Sequence, residues 1–293
     1  MKTSPTPFTR SFKSVRPRSV MLVVSISLIA ALISCSSSPV YESPAGYDLT
    51  NPERTLLKES LIEISGVTFS GSTDSAFAIN DEQAKLFYFH LGDEKTNSVR
   101  FGKAGDYEDV SLNGKTVFVL RSDGTLYSFS ADSLNEKDVE PHVIKNAFEK
   151  GEYESMYIKS DEHRLIVLCK DCKKEKKHIV SYQATLVRDS ITEVKKFFID
   201  TESLNETYNL KFGFRPSALT WNDKTHEWFI ISAVNQLLLI TDNNWVTRAV
   251  YELDPKLFTQ PEGMAFDHEY NLYISNEGNE IHNGNILKFK FQL

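Results

Sequence analysis

A short kernel flanked by apolar residues recurs five times along the chain, as Ile64-Ser65-Gly66-Val67, Tyr107-Glu108-Asp109-Val110, Tyr153-Glu154-Ser155-Met156, Pro216-Ser217-Ala218-Leu219 and Pro261-Glu262-Gly263-Met264. The second residue of each stands at 65, 108, 154, 217 and 262, a period of roughly 40–50 residues with one longer step. Strands repeated at that period predict a β-propeller, in which each unit is one blade and the starts of the innermost strands share one end of a central channel. Three of the five kernels place a glutamate there.

The residues after each kernel read as further strands. Ser111-Leu112 leads into Asn113-Gly114, a strong two-residue hairpin signal. Thr116 to Leu120 is β-branched and apolar, Ser122-Asp123-Gly124 turns the chain, Thr125 to Phe129 is a third strand and Val139 to Ile144 a fourth. Second strands are expected elsewhere at Ser75–Ile79, Leu165–Cys169, Glu227–Ser232 and Leu272–Ser275, and third strands at Leu86–His90, His178–Tyr182, Leu237–Thr241 and Ile286–Phe291. Ser98–Phe101, Val194–Ile199 and Val246–Leu253 supply fourth strands. The last repeat has no room for one before Leu293, so a strand near Tyr47–Leu49 is expected to complete it and close the ring. The prediction is all-β: five four-stranded antiparallel blades, with a six-bladed ring as the alternative should Gln183–Phe212 hide a blade rather than enlarge the third. No sustained apolar 3.6-residue period argues for an α/β fold.

Residues 1–34 read as a targeting segment. Arg10, Lys13, Arg16 and Arg18 precede an apolar run from Val20 to Ile33, which ends in Leu32-Ile33-Ser34-Cys35. That ending resembles a bacterial lipobox, so Cys35 is the expected site of lipidation; a plain transmembrane anchor is the alternative. Residues 35–46 form a Ser/Pro-rich tether and 47–293 the propeller. These features place the mature chain in the bacterial cell envelope, lipid-anchored to a membrane outside the cytoplasm, with the outer membrane favoured. The net charge is −7, and loss of the basic leader makes the remainder more acidic. No basic stripe is present to neutralise phosphates, so no nucleic-acid partner is expected. The basic cluster from Lys170 to Lys177 reads as a solvated hairpin loop. Cys169 and Cys172 are either a disulfide, suited to an extracytoplasmic protein, or free thiols; two cysteines alone make a poor zinc site.

The chemistry is expected in the channel. Glu108, Glu154 and Glu262 occupy one repeat position, and like charges converging in a partly dry channel require protons, water or a cation. Calcium accepts several oxygens in flexible geometry and suits a ring drawn from separate blades. Ser65 and Ser217 would add neutral oxygens. A second tier comes from the ends of the second strands, where Asp81 and Glu277 are the foremost candidates and Asp123 reads as ordinary turn chemistry. The chain carries no Gly-x-Ser-x-Gly elbow, His-Glu-x-x-His or phosphate-cradling glycine loop.

With their following strands, the kernels resemble those of the SdiA-regulated, YjiK-like family of bacterial envelope proteins. The resemblance rests on Ile64-Ser65-Gly66, Pro261-Glu262-Gly263-Met264-Ala265 and Tyr273-Ile274-Ser275-Asn276-Glu277, and spans roughly Leu61 to Phe291. It implies a five-bladed propeller with a calcium site, and carries over to Glu108, Glu154, Glu262 and Glu277. The chain departs from the family pattern at Asp109 and Ser155, where glycine is usual; a side chain there would narrow the channel or add an oxygen. The expected function is a lipid-anchored, calcium-binding scaffold whose partner is a protein, a peptide or a small anionic envelope ligand. The alternative is a calcium-dependent hydrolase of lactonase or phytase/esterase type, with Asp81 or Glu154 as general base.

Overall fold

Apart from Met1, the computed structural model describes residues 39–70, 75–172 and 175–292. The chain divides into two units, Met1–Val40 and Tyr41–Leu293, and the fold below is that of the second. Cys35 and the leader lie outside the described residues.

Five four-stranded antiparallel sheets make up the fold. Blade 1 is β2 (Ile64–Phe69), β3 (Ser75–Asn80), β4 (Lys85–His90) and β5 (Asn97–Arg100). Blade 2 is β6 (Tyr107–Asn113), β7 (Thr116–Arg121), β8 (Leu126–Ser130) and β9 (His142–Ile144). Blade 3 is β10 (Glu152–Lys159), β11 (Arg164–Asp171), β12 (His178–Val187) and β13 (Ser190–Asp200), followed by the short helix α1 (Glu202–Thr207). Blade 4 is β14 (Ala218–Asn222), β15 (Glu227–Ser232), β16 (Leu237–Asp242) and β17 (Thr247–Glu252). Blade 5 is β18 (Pro261–Phe266), β19 (Leu272–Asn276) and β20 (Asn285–Phe289), completed by β1 (Glu53–Leu56). The long step between the third and fourth kernels is therefore an enlarged third blade, not a sixth one.

Packing follows the two-residue period of strands. In β7, Val117 and Val119 face blade 1 while Phe118 and Leu120 face blade 3. Ile166 and Leu168 of β11 pack toward blade 4, and Leu165 and Val167 toward blade 2. Trp228 and Ile230 of β15 join blade 3, and Phe229 and Ile231 join blade 5. Second strands are thus apolar without interruption because neighbouring blades cover both faces. The result is five separate cores, one between each adjacent pair of blades.

Closure differs from expectation in its position. The strand that completes blade 5 is Glu53–Leu56, with Glu53 opposite Lys288 and Leu56 opposite Asn285. Tyr47 and Leu49 are instead buried in the core between blades 4 and 5. The reason is visible in the residues. Edge strand β1 is largely exposed and carries polar side chains, whereas Tyr47 is a wedge. Its hydroxyl donates to Tyr270 O at 2.7 Å and accepts from Asn222 Nδ2 at 3.0 Å. Tyr47→Phe leaves both groups without that partner, and is expected to cost about 1–2 kcal/mol in a denaturant melt.

Innermost strands of neighbouring blades meet around the axis, and side chains satisfy their free backbone N–H and C=O groups. Asp109 Oδ2 accepts from Met156 N at 2.7 Å, and Ser111 Oγ accepts from Ile158 N at 3.1 Å. Ser217 Oγ donates to Pro261 O at 2.6 Å. Close approach also explains a glycine: a Cβ on Gly66 would lie 2.6 Å from Asp109 Oδ1 and 2.7 Å from its Cα.

Candidate functional site

At four of the five kernels the ladder is broken by a bulge, which leaves one residue unmatched and re-aims its side chain, while blade 4 pairs in unbroken register from Ala218. Tyr107 pairs with Arg121 and Asp109 with Leu120, so Glu108 has no partner. Glu154 is skipped between Tyr153 opposite Cys169 and Ser155 opposite Leu168, and Glu262 between Pro261 opposite Asn276 and Gly263 opposite Ser275. In blade 1 the pairing passes from Ile64–Asn80 to Val67–Ala78, with Ser65 and Gly66 between.

The kernel ends of the innermost strands enclose a cavity of about 270 Å³ lined by Ser65, Asp81, Asp106, Glu108, Glu152, Glu154, Lys170, Gln260, Glu262 and Glu277. All five carboxylates singled out in the sequence, Asp81, Glu108, Glu154, Glu262 and Glu277, therefore meet in one place. Ser65 joins them; Ser217 does not, because its hydroxyl bonds Pro261 O and accepts from Ala233 N. Asp81 is held there by its own backbone, whose carbonyl accepts from Tyr107 N at 2.8 Å. Gln260 Nε2 donates to the Glu277 carboxylate. Asp123 is taken up by Arg121, in keeping with a turn role.

Two features depart from expectation. Lys170 is not part of a solvated loop. Glu152 pairs with Asp171 and Tyr153 with Cys169, so Lys170 is itself the extra residue of a bulge on β11. Its Nζ stands 2.8 Å from Glu154 Oε1 and 3.9 Å from Glu152 Oε1. Cys169 and Cys172, joined by a disulfide with Cα atoms 5.9 Å apart, bracket this lysine. Asp109, the second departure, adds no oxygen to the acidic mouth. Its carboxylate accepts from Val110 N, Met156 N and Ser155 Oγ and ties blade 2 to blade 3.

Sequence reasoning also missed Asp106, Glu152 and Gln260. A signal was present: these are the residues immediately before three of the kernels, and Glu63 and Arg215 precede the other two. Arg215 lies 4.0 Å from Glu152 and 3.8 Å from Asp171 at the rim.

The electrostatics are those of crowded acids with one central counter-ion. Burial, then the charges of Glu154 and Asp106, pushes Glu108 far above the ordinary carboxylate range. Burial raises Glu154 as well, against the opposing pull of Lys170. Burial with Glu154, Glu277 and Asp81 nearby lifts Glu262 to about 8. Glu277 is pushed up to about 7 by burial and by Asp81 and Glu63, and Asp81 to about 6 by burial and by Glu63, Glu82 and Asp106. Asp81 Oδ1 is buried with no hydrogen-bond partner. Among the described residues, however, no three carboxylate, histidine or cysteine side chains converge closely enough to clamp a metal ion.

Fold and site together define a five-bladed β-propeller with a carboxylate-lined axial mouth. The chain belongs to the SdiA-regulated family, whose model matches residues 46–283. No curated protein matches it in sequence. Among solved structures it is similar to a glutaminyl cyclase from Myxococcus xanthus, at 10% identity over 83% of this chain and 98% of that one, with a TM-score of 0.53. Similar too is regucalcin, a calcium-binding protein from Agrobacterium tumefaciens, at 10% identity over 82% and 95% of the two chains and a TM-score of 0.50. A chain of a nidogen/laminin complex matches at 12% identity over 73% and 72%, also with a TM-score of 0.50. At these identities the likeness is one of fold.

Proposed function

We infer that this protein is a lipid-anchored envelope propeller, acylated at Cys35, whose acidic mouth binds calcium and serves as a docking or scaffold surface. The observation that carries the calcium reading is the surplus of partly buried carboxylates over cations: Asp81, Glu108, Glu154, Glu262 and Glu277 share one cavity, into which, among the described residues, a single lysine projects. The donor set is all oxygen, as a hard cation requires, and the unpartnered Oδ1 of Asp81 is a ready ligand. Asp81, Glu262 and Glu277 would hold the ion once side-chain rotation draws them closer than they stand here, because Lys170 is hydrogen-bonded on the Glu154 side. Bound calcium would supply a positive centre for a carboxylate or phosphate, which suits a protein, a peptide or a small anionic envelope molecule as partner. Regucalcin of the same fold is a calcium-binding protein, but the case here rests on this chain's own carboxylates.

The test is calorimetric titration of the chelator-stripped full chain with calcium. Wild type is expected to bind, with proton release that grows as pH falls toward 6, because the metal needs ionised carboxylates. Glu262→Gln and Glu277→Gln should each weaken binding at least about tenfold, a loss of about 1.4 kcal/mol. Absence of heat at millimolar calcium would refute the ion site. A second reading, calcium-dependent hydrolysis, is favoured by Glu154, which lies outside the ligand set and whose proton affinity burial raises above the ordinary carboxylate range, toward where a general base works best. It requires calcium-dependent turnover of a lactone or phosphoester that is lost in Glu154→Gln while calcium binding is retained.

A further inference from the structure

The opposite ends of the innermost strands enclose a second and larger cavity, of about 590 Å³, which the acidic mouth does not explain. That volume lies within the range of small-molecule sites. Phe69, Tyr157, Trp221, Phe266 and Tyr270, drawn from four blades, supply aromatic walls. Asp161 and Asp223 line it as well, both exposed, and neither has an ion-pair or hydrogen-bond partner among the described residues. Both lie close enough to Tyr157 for their charges, after burial itself, to hold its phenol protonated beyond the usual range. The other acids of the lining are already engaged. Asp267 accepts from Asn271 and Tyr273, and Asp109 from the backbone of blade 3.

Independent of those acids is the way the aromatic walls are used. Lys159 Nζ stands 4.2 Å from the centroid of Trp221, and Lys224 Nζ 5.5 Å from that of Tyr270. An ammonium over an aromatic face is attracted by the ring quadrupole, most strongly over tryptophan. Lys159 pairs with Glu162 at 2.5 Å, a carboxylate it shares with Arg164, and neither it nor Lys224 forms an ion pair with Asp161 or Asp223 among the described residues. Trp221 is only 3% exposed, and its indole N–H has no acceptor among the described residues.

We propose that this funnel is a binding site for an organic cation, an ammonium or guanidinium group carried on a small apolar body. The apolar body packs among Phe69, Phe266 and Met264, and the cationic head lies between Tyr157 and the carboxylates of Asp161 and Asp223. Lys159 acts as an internal competitor for the face of Trp221. A calcium ion is excluded as the natural occupant, because the two free acids stand among aromatic rings rather than in an oxygen cage.

The probe is choline, paired with 3,3-dimethylbutan-1-ol, its neutral isostere, each titrated into the full chain and followed by ligand-observed NMR and tryptophan fluorescence. Choline is expected to bind at least about tenfold more tightly than the neutral alcohol. Asp161→Asn/Asp223→Asn together should erase that preference; both residues are exposed, so the variant retains the wild-type Tm. Lys159→Met should tighten choline binding severalfold by vacating Trp221. Because an organic cation could also enter the acidic mouth, the titration is repeated with Glu262→Gln and with excess calcium, and neither should change it. Equal binding of the two probes, or a choline affinity that follows Glu262 and calcium but not Asp161 and Asp223, overturns the proposal and leaves the calcium reading of the other end untouched.

Discussion

In the presence of a chelator, the melting temperature of this protein is expected to fall by at least about 10 °C between pH 5 and pH 9. The sign follows from the carboxylates. Unfolded Asp and Glu release their protons near pH 4. In the folded chain Asp81 releases its proton at about 6, Glu277 at about 7, and Glu262 and Asp109 at about 8. Between pH 4 and pH 8 the folded state therefore holds protons that the unfolded chain has lost, and stability declines as pH rises through that window. Each group contributes up to about 1.4 kcal/mol per pH unit, less where solvent screens it, and one kcal/mol moves the Tm of a domain this size by about 2–4 °C. Calcium at a hundred times its dissociation constant should return about 2.7 kcal/mol at pH 8. The recovery is partial, because Asp109 is bonded to Met156 N and Val110 N and does not answer to the ion. A flat or rising profile by scanning calorimetry in chelator would show that the acids are not crowded as described.

Removing the lysine at the centre of the cluster should be nearly as severe. Lys170→Met is expected to cost about 3 kcal/mol at pH 8, the scale for leaving one member of a buried pair without its partner. The pair is well covered: the Lys170 side chain is 21% exposed and that of Glu154 only 6%. The penalty should shrink toward pH 5 as Glu154 takes up a proton. Calcium affinity should rise in the same variant, because the ion no longer competes with an ammonium. Denaturant melts at the two pH values, with and without calcium, separate these effects. A loss that is equal at both pH values would indicate a packing role for the methylene stem instead.

The architecture was legible because each kernel starts an innermost strand and the spacing counts blades. Sequence periodicity also located most second and third strands within a residue or two. What it could not supply was the bulge at four of the kernels, since an unmatched residue is a property of two strands and not of one. That limit explains the missed lysine. Read along the chain, Lys170 opens a run of basic residues and looks solvated; read across the β10–β11 ladder, it is the extra residue swung onto Glu154. The closing strand was misplaced for a related reason. Tyr47–Leu49 carries the more apolar pattern, but its aromatic ring fills a gap between blades 4 and 5, and the polar segment Glu53–Leu56 takes the edge. At Asp109 the departure from glycine was noticed, while its use in fastening one blade to the next emerges only when Met156 N is seen beside it.

Because β1 comes from the beginning of the propeller and β20 from its end, the ring is fastened by a single hydrogen-bonded seam. The seam is reinforced just upstream, where Gln292 N donates to Gly46 O and the hydroxyl of Tyr47 reaches Tyr270. A pull applied at Tyr41 would therefore reach the Tyr47 wedge and the Gly46 bond before it reached the four residue pairs of the seam. Mechanically the molecule is a clasped bracelet with its clasp beside the point where the chain enters the ring. Under tension it should yield in two steps, extraction of the wedge and then peeling of β1, and only afterwards lose whole blades.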